Sequence, residues 1–142
     1  EMMNAYLPDY EVWKCEFERF DITPETILVG HSCGGGFLVR WLSEHKDVKV
    51  GKVVLVAPWL DLEDELSNNF FKFEADSHLV SRTKGVTVFN SDNDDEYIQK
   101  SVLKIRTEIL QVKYIEFHNY GHFCVGDIHS EAFPELLEEV LM

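Results

Sequence analysis

Apolar residues recur along the chain in two rhythms, one helical and one of short unbroken runs. From Asp9 to Phe20, the residues Tyr10, Trp13, Phe17 and Phe20 are spaced three and four apart, which places them on one face of a helix entered after Pro8. Thr26 to Gly30 is a short apolar run ending at glycine, and Gly34 to Glu44 carries Phe37, Leu38, Trp41 and Leu42 at helical spacing, so a strand hands over directly to a helix. Lys52 to Ala57 (KVVLVA) is β-branched and apolar on both faces, as a strand buried in a parallel sheet should be, and Pro58 stops it. After an irregular polar stretch from Asp61 to Thr83, Gly85 to Asn90 (GVTVFN) predicts a third strand. Asp95 to Leu110 predicts an amphipathic helix with Ile98, Val102, Ile105 and Ile109 inward, and Val112 to His118 a fourth strand. Ser130 to Met142 predicts a last helix, with Ser130 as its cap and Phe133, Leu136, Leu137, Val140 and Leu141 as its apolar stripe.

Strands alternating with helices favour an α/β three-layer sandwich with a mostly parallel sheet. No second domain, repeat or low-complexity tract interrupts residues 1–142, which read as one domain. In open sheets of this kind ligands bind beyond the carboxyl ends of the strands, so the residues just after each strand are the ones to inspect.

Composition narrows the picture. A chain of 142 residues that is 45% apolar suffices for one core and one site. The 13 basic and 26 acidic residues leave a formal charge of −13, which repels phosphate backbones and anionic membrane surfaces, so neither nucleic acid nor membrane is an expected partner. No apolar stretch approaches the roughly 20 residues that cross a bilayer, and Glu1 to Asn4 has no signal-peptide character. Cys15, Cys33 and Cys124 show no ligand spacing and are odd in number, which predicts no disulfide framework and no structural zinc, and fits a soluble protein in a reducing, cytoplasmic setting.

After the first strand stand Gly30, His31, Ser32, Cys33 and Gly34, a Gly-x-Ser-x-Gly pattern at a strand-to-helix junction. Such a junction is a nucleophile elbow, a tight turn that strains the serine backbone and is expected to leave no room for side chains two residues either side. The same turn aims the backbone N–H of Cys33, at the start of a helix, toward a developing oxyanion. The competing reading is a glycine-rich turn with an idle serine; its placement between a buried strand and a helix favours the elbow.

Serine is a poor nucleophile at neutral pH and needs a base, which in turn needs a third group to fix its tautomer. After the fourth strand, Asn119, Tyr120, Gly121, His122 and Phe123 put His122 in a glycine-containing loop where a base is expected. His45, His78 and His129 read as surface histidines, and His31 and His118 as structural ones. After the third strand, Ser91, Asp92, Asn93, Asp94, Asp95 and Glu96 form an acidic loop before a helix, from which one member can hold the histidine while a neighbour caps the helix. Asp61, four residues past the second strand, is a further candidate acid. The chain order Ser32, Asp94, His122 is the Ser, acid, His order of α/β-hydrolases.

The segments ILVGHSCGG (Ile27 to Gly35), KVVLVAPWLD (Lys52 to Asp61), VTVFNSDNDD (Val86 to Asp95) and YGHF (Tyr120 to Phe123) resemble the compact serine hydrolases grouped around retinoblastoma-binding protein nine and bacterial YdeN, over nearly the whole chain. The resemblance implies an α/β-hydrolase fold with Ser32 as nucleophile and His122 as base. It implies Asp94 as the acid, in a segment where the family usually has a proline next and this chain has Asp95; Asp92 is the alternative. Family members begin with a strand and a glycine-rich loop that supplies a second oxyanion donor. Nothing before Tyr10 reads as that strand, so the domain is expected to be N-terminally incomplete. The Leu-x-Cys-x-Glu pattern of retinoblastoma binding is absent, and that partner is not carried over.

The expected chemistry is hydrolysis of a small ester or amide, of the carboxylesterase-like kind, through an acyl-enzyme and without metal or organic cofactor. Two other readings remain open at this point. One is a non-catalytic binding or scaffold protein that keeps the fold; the other is a thiol site at Cys33 or Cys124, which flank the candidate residues.

Overall fold

A computed structural model describes residues 2–142. Its element order is α1 (Tyr10–Phe17), β1 (Leu28–His31), α2 (Cys33–Glu44), β2 (Val53–Val56), β3 (Val86–Ser91), α3 (Glu96–Glu108), β4 (Lys113–Phe117), α4 (Val125–Ile128) and α5 (Pro134–Leu141), with a 3₁₀ turn at Leu79–Arg82. The four strands form one parallel sheet in the order β1-β2-β3-β4, registered by pairs such as Gly30 with Leu55, Leu55 with Val88 and Val88 with Tyr114.

That register sorts side chains onto two faces. Leu28, Gly30, Val53, Leu55, Val86 and Val88 share one face, where Gly30 abuts Gly35 of α2 and the Arg106 guanidinium of α3 lies over the Tyr114 ring. Thr87, Phe89 and Phe117 share the other, where α5 docks: Glu139 accepts from Thr87 Oγ1, and Phe133 packs on Phe89 and Phe117. Helices thus lie on both faces, giving the expected α/β sandwich. β2 and β3 are buried throughout, as their unbroken apolar runs predict.

The structure departs from the sequence reading at the ends of elements. α1 stops at Phe17 because the N–H groups of Arg19 and Phe20 turn back to the carbonyls three residues earlier, carrying Phe20 into solvent at 71% exposure. β1 is covered on one face only, with Ile27 and Val29 about half exposed. The last helix starts at Pro134, not Ser130, since proline disfavours a helical residue before it, and Ser130 Oγ instead accepts the nearby Ala132 N–H. Within α5 the apolar stripe is split: Leu137 and Leu141 face solvent and the charged Glu139 is buried.

Glu139 is tolerated there because its carboxylate is fully engaged. It accepts from Thr87 Oγ1 at 2.6 Å, from Lys113 Nζ at 2.9 Å and from Lys52 Nζ at 3.0 Å. Burial pushes its pKa up, but these three contacts outweigh burial and bring it down to about 2. On the opposite side, the irregular stretch after β2 is anchored by Phe70, which is fully buried against Tyr10, Trp13 and Phe37. Arg40 of α2 holds that stretch by donating to the Asn69 and Phe70 carbonyls. Among the described residues no helix is long and apolar enough to cross a membrane.

Candidate active site

Three loops meet at the carboxyl edge of the sheet. Ser32 follows β1 with φ 54° and ψ −121°, a strained conformation for a non-glycine residue that costs on the order of 1–3 kcal/mol and persists only where packing enforces it. The enforcement is visible: Ser32 N–H donates to Val56 O, and Ser32 O accepts from both Gly36 and Trp59. A Cβ at Gly30 would sit 2.7 Å from the Gly34 carbonyl oxygen, and one at Gly36 would overlap the Trp59 carbonyl. Gly34 itself has open space where a Cβ would be, so the steric requirement expected at both flanking positions holds for Gly30 and moves from Gly34 to Gly35 and Gly36, which pack against Pro58 and Phe71.

The His122 imidazole spans the other two residues. Its Nε2 lies 3.0 Å from Ser32 Oγ, and its Nδ1 lies 3.0 and 3.1 Å from the two oxygens of Asp94. An ionised carboxylate only accepts, so Nδ1 carries the proton and Nε2 is left with the lone pair facing the serine hydroxyl. The Asp94 side chain is 1% exposed, while that of His122 is 31% exposed. The hydrogen bond to Asp94 raises the His122 pKa above its ordinary value against the opposing effect of burial, and the charges of Asp94, Asp127 and Asp95 add to the rise.

The other candidate acids are occupied elsewhere. Asp92 pairs with His118 Nδ1 and accepts the Asn119 N–H at 2.9 Å. Asp95 caps α3 by accepting from Tyr97 N–H. Asp61 closes a local turn by accepting from Glu65 and Leu66. Cys33 opens α2, so its N–H is a first-turn donor without an acceptor inside the helix. Its thiol is pushed up to about 12, chiefly by burial and further by Asp61, which keeps it protonated and weighs against a thiolate nucleophile.

Several supporting roles were not read from the sequence. Each backbone N–H from Asn119 to His122 is accepted by a side-chain oxygen: Asp92 for Asn119, Ser91 for Tyr120 at 2.9 Å, Asn93 for Gly121 at 2.8 Å and Asp127 for His122 at 3.0 Å. The loop after β3 is thus laced to the loop after β4 by consecutive residues, 91–94. Tyr120 and Phe123, on either side of His122, pack on Phe117 and Phe133 and seat the loop on an aromatic floor. The S-x-N spacing before Asp94 was the one legible hint; α4, four residues long, has no periodicity to betray Asp127. Among the described residues no group of three or more His, Cys, Asp or Glu is placed to hold a metal ion.

Comparison with known proteins agrees with this architecture. The fold superposes on the crystal structure of the ydeN gene product of B. subtilis with a TM-score of 0.76 at 19% identity, covering 99% of this chain and 80% of that one. Est1E from Butyrivibrio proteoclasticus matches with a TM-score of 0.58 at 14% identity over 96% of this chain and 72% of that one. In sequence, Phospholipase YtpA of Bacillus subtilis (strain 168) is 20% identical over 122 residues, which cover 76% of this chain and 46% of that protein, so the chain spans about half the length of this relative. A family model described as serine hydrolase matches residues 2–140, nearly the full length of the chain. The chain therefore belongs to the serine hydrolase family, and its fold is that of the α/β-hydrolases it superposes on.

Proposed function

We propose that Ser32, His122 and Asp94 act as a catalytic triad that hydrolyses an ester or amide of a small substrate. The observation that carries this reading is the unbroken relay of hydrogen bonds from Ser32 Oγ through the His122 ring to the buried Asp94 carboxylate. In the first half-reaction His122 Nε2 takes the Ser32 proton as Oγ attacks the carbonyl carbon. The Cys33 N–H, at the start of α2, stabilises the resulting oxyanion. His122 then returns the proton to the leaving alcohol or amine, and the tetrahedral intermediate collapses to an acyl-enzyme on Ser32. Water, deprotonated by the same nitrogen, releases the acid and restores the hydroxyl. Asp94 holds the ring in the reactive tautomer and stabilises its charged form.

Carboxylic esters are the favoured substrates, a carboxylesterase-like activity, because an alkoxide leaves more readily than an amide nitrogen. The similarity to Phospholipase YtpA supports an ester as substrate, while the charge of −13 favours small neutral esters over anionic membrane surfaces or nucleic acid. The three free cysteines support a cytoplasmic setting. The alternative of a scaffold that keeps only the fold predicts dispersed side chains at the three positions, and the 3.0 Å contacts favour the enzyme.

Incubation with p-nitrophenyl acetate followed by intact-mass and peptide analysis tests the reading. Burst release of nitrophenol with an acetyl group on Ser32 is expected, and an unmodified Ser32 during turnover contradicts it.

A further inference from the structure

His31 is the last residue of β1, inside the nucleophile elbow and directly before Ser32, and the chemistry above leaves it unused. Its Nε2 lies 2.8 Å from the backbone carbonyl oxygen of His122, and the two imidazole rings sit 4.7 Å apart, tilted by 41°. A carbonyl oxygen only accepts, so His31 Nε2 carries a proton and donates it. His122 is therefore held at four points. Asp94 and Ser32 engage its ring, Asp127 accepts its backbone N–H, and His31 donates to its backbone carbonyl. Asp94 comes from the loop after β3, and Asp127 from α4, just after the loop that carries His122. The bond from His31 ties the backbone of the base to the residue next to the nucleophile.

We propose that His31 is a positioning residue that sets the distance between Ser32 and His122, an inference that rests on the triad reading. Proton transfer needs Oγ and Nε2 at hydrogen-bond reach, and small displacements of such pairs lower turnover steeply. A neutral donor suits the place, because His122 becomes cationic during the reaction and a second cation beside it opposes that step. Partial desolvation, the largest effect, pushes the His31 pKa below the ordinary histidine value; the bond to the His122 carbonyl pulls it up, the charge of the His122 ring pushes it down and Asp94 pulls it up, and the net shift is downward.

The test compares His31→Leu, which packs but cannot donate, with His31→Gln, whose amide N–H reaches the same carbonyl; Ser32→Ala is the reference for the triad itself. With p-nitrophenyl acetate, His31→Leu should lose about tenfold in kcat with KM within about twofold, and His31→Gln should recover most of that loss. The downfield proton resonance of His122 Nδ1–H should persist in His31→Gln and broaden in His31→Leu. Equal losses in both variants, or wild-type kcat in His31→Leu while Ser32→Ala is inactive, overturns the positioning role. Undiminished turnover in Ser32→Ala instead overturns the triad reading beneath it. Should His31→Leu fail to fold, His31→Asn replaces it with the same expected loss, since its amide falls one methylene short.

Discussion

Asn93 Oδ1 accepts the backbone N–H of Gly121 at 2.8 Å, and the next residue on each side, Asp94 and His122, makes the carboxylate–imidazole pair. Asn93 Oδ1 also takes the hydroxyl proton of Ser91, whose oxygen in turn accepts the Tyr120 N–H. The acid and the base are thus brought into register by backbone contacts made just before them, so the geometry of the pair depends on more than the pair itself.

This lacing predicts a catalytic effect for a residue that touches no substrate. Asn93→Ala leaves Gly121 N–H and Ser91 Oγ without their acceptor and should lower kcat about tenfold, while Asn93→Asp, which keeps the accepting oxygen, should lose less. Steady-state kinetics on an activated ester distinguish the two, and equal losses would show that the acceptor is not what matters.

The two neighbouring acids should separate cleanly. Asp94→Asn removes the anion that fixes the Nδ1–H tautomer and should cost roughly 10³ to 10⁴-fold in kcat, whereas Asp92→Asn weakens the His118 and Asn119 contacts and should cost far less. In the wild type the activity should fall on the acid side as His122 takes up a proton and can no longer accept from Ser32. Because Asp94 raises that pKa, the wild-type acid limb should lie above the ordinary histidine value of 6.5 and move to lower pH in the residual activity of Asp94→Asn. A limb that stays in place would remove Asp94 as the cause of the shift.

Glycine positions in and after the elbow should differ in tolerance. Gly36→Ala brings a methyl group into the Trp59 carbonyl and the Phe71 ring and should destabilise the fold by about 2 kcal/mol or more, whereas Gly34→Ala meets open space and should leave the melting temperature unchanged or raised. Thermal unfolding of the two single variants gives the comparison. A destabilised Gly34→Ala beside a normal Gly36→Ala would contradict the packing described.

Glu139 predicts an acid-sensitive dock for α5. Its folded pKa of about 2 lies below the ordinary glutamate value of 4.5, so its stabilisation is fully present above about pH 5 and is lost as the pH falls toward 2. The shift corresponds to about 3 kcal/mol at neutral pH. Urea unfolding should show Glu139→Gln less stable than wild type by a comparable amount at pH 7, with the difference shrinking near pH 2.5. A difference independent of pH would assign the effect to packing.

The fold was legible in the sequence wherever one force dominated. The KVVLVA and GVTVFN runs admit little but doubly buried strands, and the spacing of Ile98, Val102, Ile105 and Ile109 matches the buried side of α3. The elbow was legible because strand, glycines and helix coincide within a few residues. What escaped were features set by long-range partners. Glu139 looks like a surface position on α5 until Lys52, Lys113 and Thr87 are seen around it, and Phe20 and Leu137 fit apolar stripes that the real helix ends and docking angle leave in solvent. Asp92 and Asp94 differ by two residues and carry the same charge. Only the turn after β3 shows which one faces the His122 ring.

Fluorophosphonate labelling, read by peptide mass spectrometry in the wild type and in His122→Ala, probes the nucleophile and its activation in one measurement. The phosphonyl adduct should form at Ser32 in the wild type and be lost or slowed by orders of magnitude in His122→Ala. An adduct at another residue, or equally fast labelling in both proteins, would contradict an imidazole-activated Ser32.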